Sequence, residues 1–581
     1  LNVLGYLKKY VRKYYRLFLV AVFFLAIEAS CDLVLPTIMS KIVDIGIRNR
    51  DLHYVLSTGG VMLLVTAAGA IGAVMRNNIS CRVSQRFGAE LRSDLFRKIQ
   101  ALTFDSIGRF NRASLVTRLT NDVTQMQNFV NGTMRMFVKA PLLCVGSIVM
   151  AVLLDPGLSL IIAVVVPVII VIIFLNTHVS YPFFRKVQRA LDSLNGATRE
   201  YLSGVRVIKA FNRADFEEER FSGYNENLAG VQTAAMRVSS VFSPLNSLVI
   251  NVGIIVVLWL GGMAVNTGGT QVGKIIAFIN YMTQMSNSLM TITMVFNMFV
   301  RGRASAERIG EVMNAQEASR PEGGGAEQDG ALGVEFRDVG FSYSGNPEGL
   351  VLEHVSFSCR PGETLGIIGT TGSGKTTVVN LIDHFYDATQ GEVLVGGADV
   401  RKLDDRVLRA GIAIVPQGST LFTGSILDNI RWGNGQADLA EVERAADVAQ
   451  ADEFIRSMPE GYATVLGQGG VNLSGGQKQR VSIARAIVKK PRILILDDCT
   501  SAVDAITEAK IREGLRKHSK DMICIIIAQR ISSVADADRI LVLDGGRVAG
   551  YGTGGELLKS CPVYREIYAS QFGEEAVPCL K

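Results

Sequence analysis

Up to Val300 the apolar positions fall in long, nearly unbroken runs, at Leu17–Met39, Val55–Met75, Met136–Leu154, Leu158–Leu175, Val241–Val265 and Ile275–Val300. Each is close to the roughly 20 residues that a helix needs to cross a bilayer. The last two runs contain no charged residue. Six spanning helices are therefore predicted, the first reading as a span rather than a cleavable leader because it is long and lacks a small-residue cleavage site. After Val300 the pattern changes. Ala315 to Ala331 hold three consecutive glycines, a proline and several polar residues, which predicts a flexible linker. Short strand-like runs follow at Val334–Phe341, Leu365–Ile368, Ile412–Val415, Ile493–Leu496, Ile523–Ile527 and Arg539–Leu543, most of them separated by helical stretches. That alternation predicts an α/β domain on a mainly parallel sheet. The expected division is 1–314, an α-helical membrane domain; 315–331, a linker; and 332–581, an α/β domain.

Charge orients the spans. Residues 76–125 and 176–239 carry nine Lys or Arg each, while the other loops are short and poor in charge. The positive-inside rule then puts the N-terminus, both long loops and the C-terminal half in the cytoplasm. The long loops keep helical patterning, so the spans are expected to continue as helices well beyond the bilayer. Composition agrees: 48% of residues are hydrophobic and the mean hydropathy is +0.26. The net charge of +6 is modest for 581 residues and does not point to nucleic acid. Eight scattered cysteines without a C-x-x-C pair support neither a metal site nor a disulfide framework.

The most specific chemistry lies at Gly369-Thr370-Thr371-Gly372-Ser373-Gly374-Lys375-Thr376-Thr377. A strand precedes it and a helix follows, as in a P-loop. The glycines let backbone N–H groups turn toward an anion. Lys375 adds charge for the outer phosphates, and the Thr376 hydroxyl can hold Mg²⁺. Leu473-Ser474-Gly475-Gly476-Gln477 opens a second helix with similar physics, and Ile493 to Asp497 is an apolar strand ending in a carboxylate.

Together these motifs resemble the ATP-binding cassette (ABC) exporter half-transporters over nearly the whole chain. The resemblance implies ATP and Mg²⁺, a lipid bilayer, a small hydrophobic or amphipathic substrate, and a second subunit. Residues 473–477 match the family signature, which completes the ATP site on the opposite subunit. Asp497 matches the Mg²⁺-holding aspartate, acting through water. Tyr343 matches the adenine-stacking aromatic, Gln417 the Q-loop glutamine that reaches Mg²⁺ and attacking water, and Ser501 to Asp504 the D-loop. Segments near 105–118 and 204–216 resemble the coupling helices, with Ser114–Val123 and Glu200–Phe211 at the loop tips.

Three positions depart from the family. Asp498 stands where the catalytic glutamate is usual, Gln529 where the switch histidine is usual, and Gln468 where a glutamate commonly precedes the signature. Losing one methylene withdraws the carboxylate by about 1.5 Å. A displacement of about 1 Å can cost on the order of a hundredfold in rate. The pattern is similar to the degenerate-site subunit of heterodimeric bacterial multidrug exporters, whose partner carries the intact Glu and His. An importer of the same architecture, for example for a metal chelate, and an ATP-gated channel or regulator are the alternatives.

The spans hold few polar residues. Glu28 and Asp32 share one helix face, either to pair with another helix or to meet a cationic substrate or proton. Met282, Met285, Met290, Met294 and Met298, with Asn280, Gln284, Asn287 and Asn297, could line a promiscuous cavity or be ordinary packing.

Overall fold

The computed structural model describes residues 3–317, 333–344, 346, 349–518 and 521–573. Beyond residue 317 the expected linker lies outside the described residues. The chain divides into two compact units, Leu1–Gln100 with Phe110–Ala315, and Ala101–Arg109 with Gln316–Lys581.

The first unit is built of long helices. Five are long and apolar enough to cross a membrane: Tyr6–Ile47, Leu52–Ala101, Arg112–Leu154, Ser159–Ala210 and Ala214–Asn266. The sixth, Val272–Met313, is 42 residues long. It contains the last predicted run, but its amides at Asn280, Gln284, Asn287 and Asn297 dilute the hydropathy. Ile162, Val165, Ile169, Val257, Phe278, Tyr281, Met282 and Met285 form its main core. Leu153, Leu160 and Trp259 point outward, as lipid-facing side chains do. Two of the five methionines of the stripe are thus packing: Met282 and Met285 are buried, Met298 is partly buried, and Met290 and Met294 are exposed.

Polar side chains fix the helices to one another. The buried Asp44 accepts from the Gly273 amide at 2.6 Å, capping the sixth helix across 229 positions of sequence. Such a cap is worth about 1 kcal/mol. Toward the other end, Asp94 accepts from Lys9 at 2.8 Å and from Tyr10 at 2.6 Å. The first loop turns at the short helix Phe104–Arg109, which belongs to the second unit. Ser114–Val123, expected at that tip, lies instead on the returning arm, in Arg112–Thr117, the π-helical stretch Arg118–Asp122 and the start of helix Val123–Gly132. The second turn is short: helix Ser159–Ala210 ends just before Phe211, and the next begins at Ala214.

The second unit contains twelve described strands. They are β1 (Val334–Phe341), β2 (Leu352–Cys359), β3 (Thr364–Gly369), β4 (Gln390–Val395), β5 (Ala398–Asp399), β6 (Ile412–Val415), β7 (Gly424–Ser425), β8 (Val465–Leu466), β9 (Ile493–Asp497), β10 (Ile523–Ile527), β11 (Arg539–Asp544) and β12 (Arg547–Gly552). Six form one sheet in the order β12-β11-β3-β10-β9-β6. All its pairs are parallel except β11 with β12. Strands β2-β1-β4-β5 make an antiparallel sheet. A core including Phe336, Phe357, Leu365, Ile367, Val378 and Ile495 joins strands from both sheets. A second core joins Ile426, Ile430, Val442 and Ala446 to the signature helix through Val481 and Ala484. The seven cysteines described are free thiols.

Candidate nucleotide site

The site follows from strand order. Strand β10 lies between β3 and β9, with Ile527 in register with Ile367 on one side and Asp497 on the other. The loops leaving these three strands therefore converge at their carboxyl ends, where open parallel sheets bind ligands. The first loop is the glycine-rich one, the second carries Gln529, and the third carries Asp498.

The glycine-rich loop turns through Gly372 at φ +83° and Gly374 at φ +92°. Gly374 precedes helix Lys375–Ile382. A Cβ there would stand 2.5 Å from Leu352 Cδ2. Lys375 Nζ donates to the carbonyls of Gly369 at 2.9 Å and Thr370 at 2.7 Å, so its ammonium lies across the loop. Ser373 Oγ is buried without a hydrogen-bond partner. Thr371 follows Thr370 in the same turn. Thr376 Oγ1 donates to Asp497 Oδ2 at 3.2 Å, which brings a hydroxyl and a carboxylate together as Mg²⁺ coordination requires. The orphaned Ser373 hydroxyl, the inward lysine and this oxygen pair fit a Mg²⁺-nucleotide phosphate group. Tyr343 is half-exposed and shares a hydrogen bond of 3.1 Å with Thr377. Its ring stands edge-on to Phe341 and Tyr386.

Asp498 sits beside this cradle with φ +46°. Gln417 Nε2 donates to its Oδ2 at 3.0 Å, and Gln529 Nε2 donates to the same oxygen at 2.9 Å. Two amides from the loops after β6 and β10 therefore converge on one carboxylate oxygen. Burial pushes Asp498 above the usual carboxylate range, while both amides, Lys375 and Arg530 pull it back. Burial likewise raises Asp497, aided by the neighbouring Asp498 charge and opposed by Thr376 and Lys375. Lys375 is lowered by burial, against the pull of both aspartates.

The signature segment is a capped helix start. Ser474 Oγ accepts from the Gln477 amide at 3.3 Å, and Gln477 Oε1 accepts from the Ser474 amide at 2.9 Å, closing a capping box on helix Gly475–Val488. Leu473 is buried beneath it. Gly476 permits close approach of the D-loop, because a Cβ would lie 2.8 Å from the Ala502 carbonyl. Ser501 Oγ donates to the Asp498 carbonyl at 3.0 Å, and Asp504 accepts from the Thr507 amide at 2.9 Å. Gln468 lies in a short 3-10 turn before the signature.

Sequence reading missed two supports. Gln571, in the last described helix, donates to the Gln529 carbonyl at 2.8 Å and accepts from the Ile531 amide at 2.7 Å. Gln479 Oε1 accepts from the Ala502 amide at 3.1 Å. Neither glutamine belongs to a local motif. The pairing of Phe104 with Phe385, at 4.2 Å between ring centres, was also hidden, although Phe385 follows the P-loop helix directly.

In the first unit, Glu28 is a structural anchor. Arg76 Nε donates to it at 2.7 Å and Lys139 Nζ at 2.6 Å. Lys139 also pairs with Asp32 at 3.1 Å.

These features define a membrane-embedded helical unit fused to a P-loop ATPase. Residues 18–289 match the model of the ABC transporter transmembrane region, and residues 352–501 match that of the ABC transporter. An uncharacterized ABC transporter ATP-binding protein of Bacillus subtilis, YfiB, is 38% identical over 556 residues, covering 96% of each chain. The ATP-dependent lipid A-core flippase of Pseudomonas aeruginosa is 31% identical over 595 residues, covering 99% of this chain and 96% of the flippase. The structure of a bacterial Atm1-family ABC exporter with ATP bound superposes with a TM-score of 0.81 at 27% identity, covering 97% and 99% of the two chains. The chain belongs to the ABC transporter family and is an exporter-type half-transporter carrying an ABC ATPase domain.

Proposed function

We propose that this chain is one half of a heterodimeric exporter of the cytoplasmic membrane, in which its own ATP site is the slow one. The observation that carries this reading is Asp498. A short carboxylate takes the place of glutamate, and Gln417 and Gln529 both donate to its Oδ2. One of the two oxygens of this short carboxylate is thus already engaged by two amides. Gln529 supplies an amide where a histidine would supply a titrating imidazole. Binding and hydrolysis are thereby separated: residues 369–377 hold the phosphates, Tyr343 stacks on adenine, and the group beside them is a poor base.

Thr376, Gln417 and, through water, Asp497 would hold Mg²⁺, which would supply neutralisation of phosphate charge there. Lys375 neutralises further phosphate charge. The signature residues Leu473 to Gln477 complete the partner's site, where an intact glutamate and histidine hydrolyse ATP. Ser501 and Asp504 lie at the subunit boundary. The N-terminus and the nucleotide-binding unit lie in the cytoplasm, and residues near 105–118 and 204–216 carry the motion to the spans. Small amphipathic compounds are moved outward by alternating access.

Co-purification from the native membrane, followed by ATPase assay of the chain alone and of the pair, tests this. Low turnover alone and a large rise with a homologous partner are expected. Full transporter turnover by the chain alone would refute it.

A further inference from the structure

The first unit carries an open cavity of about 460 Å³ with a lining part polar and part apolar, within the usual range of small-molecule sites, about 300–1,000 Å³. Asp32 and Lys139 stand on one wall, Arg135 beside them, and Asn280, Gln284 and Asn287 on the sixth helix opposite. Intramembrane carboxylates alone would suggest a cationic ligand. The ion pairs reverse that expectation. Glu28 and Asp32 are two negative charges, and Arg76 and Lys139, which bond to them at 2.6–3.1 Å, are two positive ones. The four balance. Arg135 remains. It makes no ion pair among the described residues, and its Nε is buried without a hydrogen-bond partner.

We infer that this cavity binds the anionic group of an amphipathic compound, a carboxylate, phosphate or sulfonate, with Arg135 as its charge partner. A guanidinium offers a forked set of donors matched to such groups. The amides opposite can satisfy the remaining acceptors or the polar part of the ligand. The Glu28–Arg76–Lys139–Asp32 network excludes cations indirectly, because its carboxylates are already engaged. The inference takes from the export reading only that the cavity serves a transported compound; binding itself requires no movement.

The test uses the full chain in phosphatidylcholine nanodiscs without nucleotide. The probes are pyrenebutyrate, pyrenebutanamide and a pyrenebutyl trimethylammonium salt, followed by fluorescence anisotropy. The carboxylate should bind roughly tenfold more tightly than the amide, as expected for a hydrogen bond to a charged group, and the cation least tightly. Arg135→Gln should abolish the preference and Arg135→Lys should keep most of it. Asn287→Asp, which adds negative charge to the opposite wall, should weaken the carboxylate alone and serves if Arg135→Gln does not fold. Equal binding of all three probes, tighter binding of the cation, no binding of any, or a carboxylate preference unchanged by both charge-altering variants would overturn the assignment. Adding phosphatidylglycerol separates the two sources of such an anion: a lipid ligand displaces the probe, and a dissolved one leaves it bound. ATP-driven accumulation of probe in vesicles is scored separately, so failure of export leaves the binding result standing.

Discussion

Glu28 and Asp498 are both acidic side chains that accept from two donors, yet the donors differ in kind. Glu28 is held by the cations Arg76 and Lys139 from two other helices. Asp498 is held by the neutral amides Gln417 and Gln529. Cations compensate a buried charge, so Glu28 is closed off as structure. Amides orient a carboxylate without neutralising it, and Asp498 stays beside the phosphate loop as a charge restrained in position. The same residue class is therefore neutralised by cations in one unit and held by neutral amides beside the glycine-rich loop in the other.

Breaking the first cluster should have the largest effect. Glu28→Gln leaves Arg76 and Lys139 without their shared carboxylate, and loss of one partner of a buried pair costs about 3–5 kcal/mol. A thermal melt of the full chain in detergent should show a large drop. An unchanged melting temperature would mean that the network is solvated and contributes little.

A third carboxylate extends the comparison. Asp383, at the end of the P-loop helix, is raised to about 6 by burial, with Arg409 and Lys489 opposing. An unfolded aspartate titrates near 3.9. Between about pH 4 and 6 the folded chain thus holds more protons than the unfolded one, and stability falls as pH rises. Its neighbour His384 is raised by hydrogen bonds to Asp387 and Asp405, against desolvation. Its contribution is full below the unfolded histidine value and is lost as pH rises through the higher folded value. Both groups favour mildly acidic conditions. Asp383→Asn should stabilise the chain by about 3 kcal/mol at pH 8 and hardly at all at pH 4. Melts across that range would show the gain appearing between them, and a pH-independent gain would contradict the burial account.

The smallest effect sharpens the amide side. Gln571 ties down the backbone on both sides of Arg530. Gln571→Ala should cost about 1 kcal/mol locally. Hydrogen exchange at the Ile531 amide should rise about fivefold; unchanged exchange would show that the last helix does not support the switch segment.

The sequence exposed the two clusters unequally. The apolar runs and the P-loop were legible because their information is local: a span is one run, and a phosphate loop is nine consecutive residues. The strands at Ile412–Val415 and Ile523–Ile527 appear with the expected bounds for the same reason. Glu28 was ambiguous because its partners lie 48 and 111 positions away. The cap from Asp44 to Gly273 and the brace from Gln571 have no local signature at all. On the sixth helix the sequence leaves cavity lining and ordinary packing open for the methionines and amides alike; Asn280, Gln284 and Asn287 line the cavity, and Met282 and Met285 are packed in the core. Amides at helical spacing look alike whether they face a cavity or a neighbouring helix.

The central claim is that Asp498 and Gln529 make this chain's own ATP site slow while leaving its phosphate loop intact. The most direct measurement is single-turnover hydrolysis of γ-labelled ATP by the purified full chain, beside the variant Asp498→Glu with Gln529→His. The account predicts bound, largely uncleaved ATP in the original chain and cleavage faster by roughly a hundredfold in the double variant. Equal rates in the two proteins would contradict it.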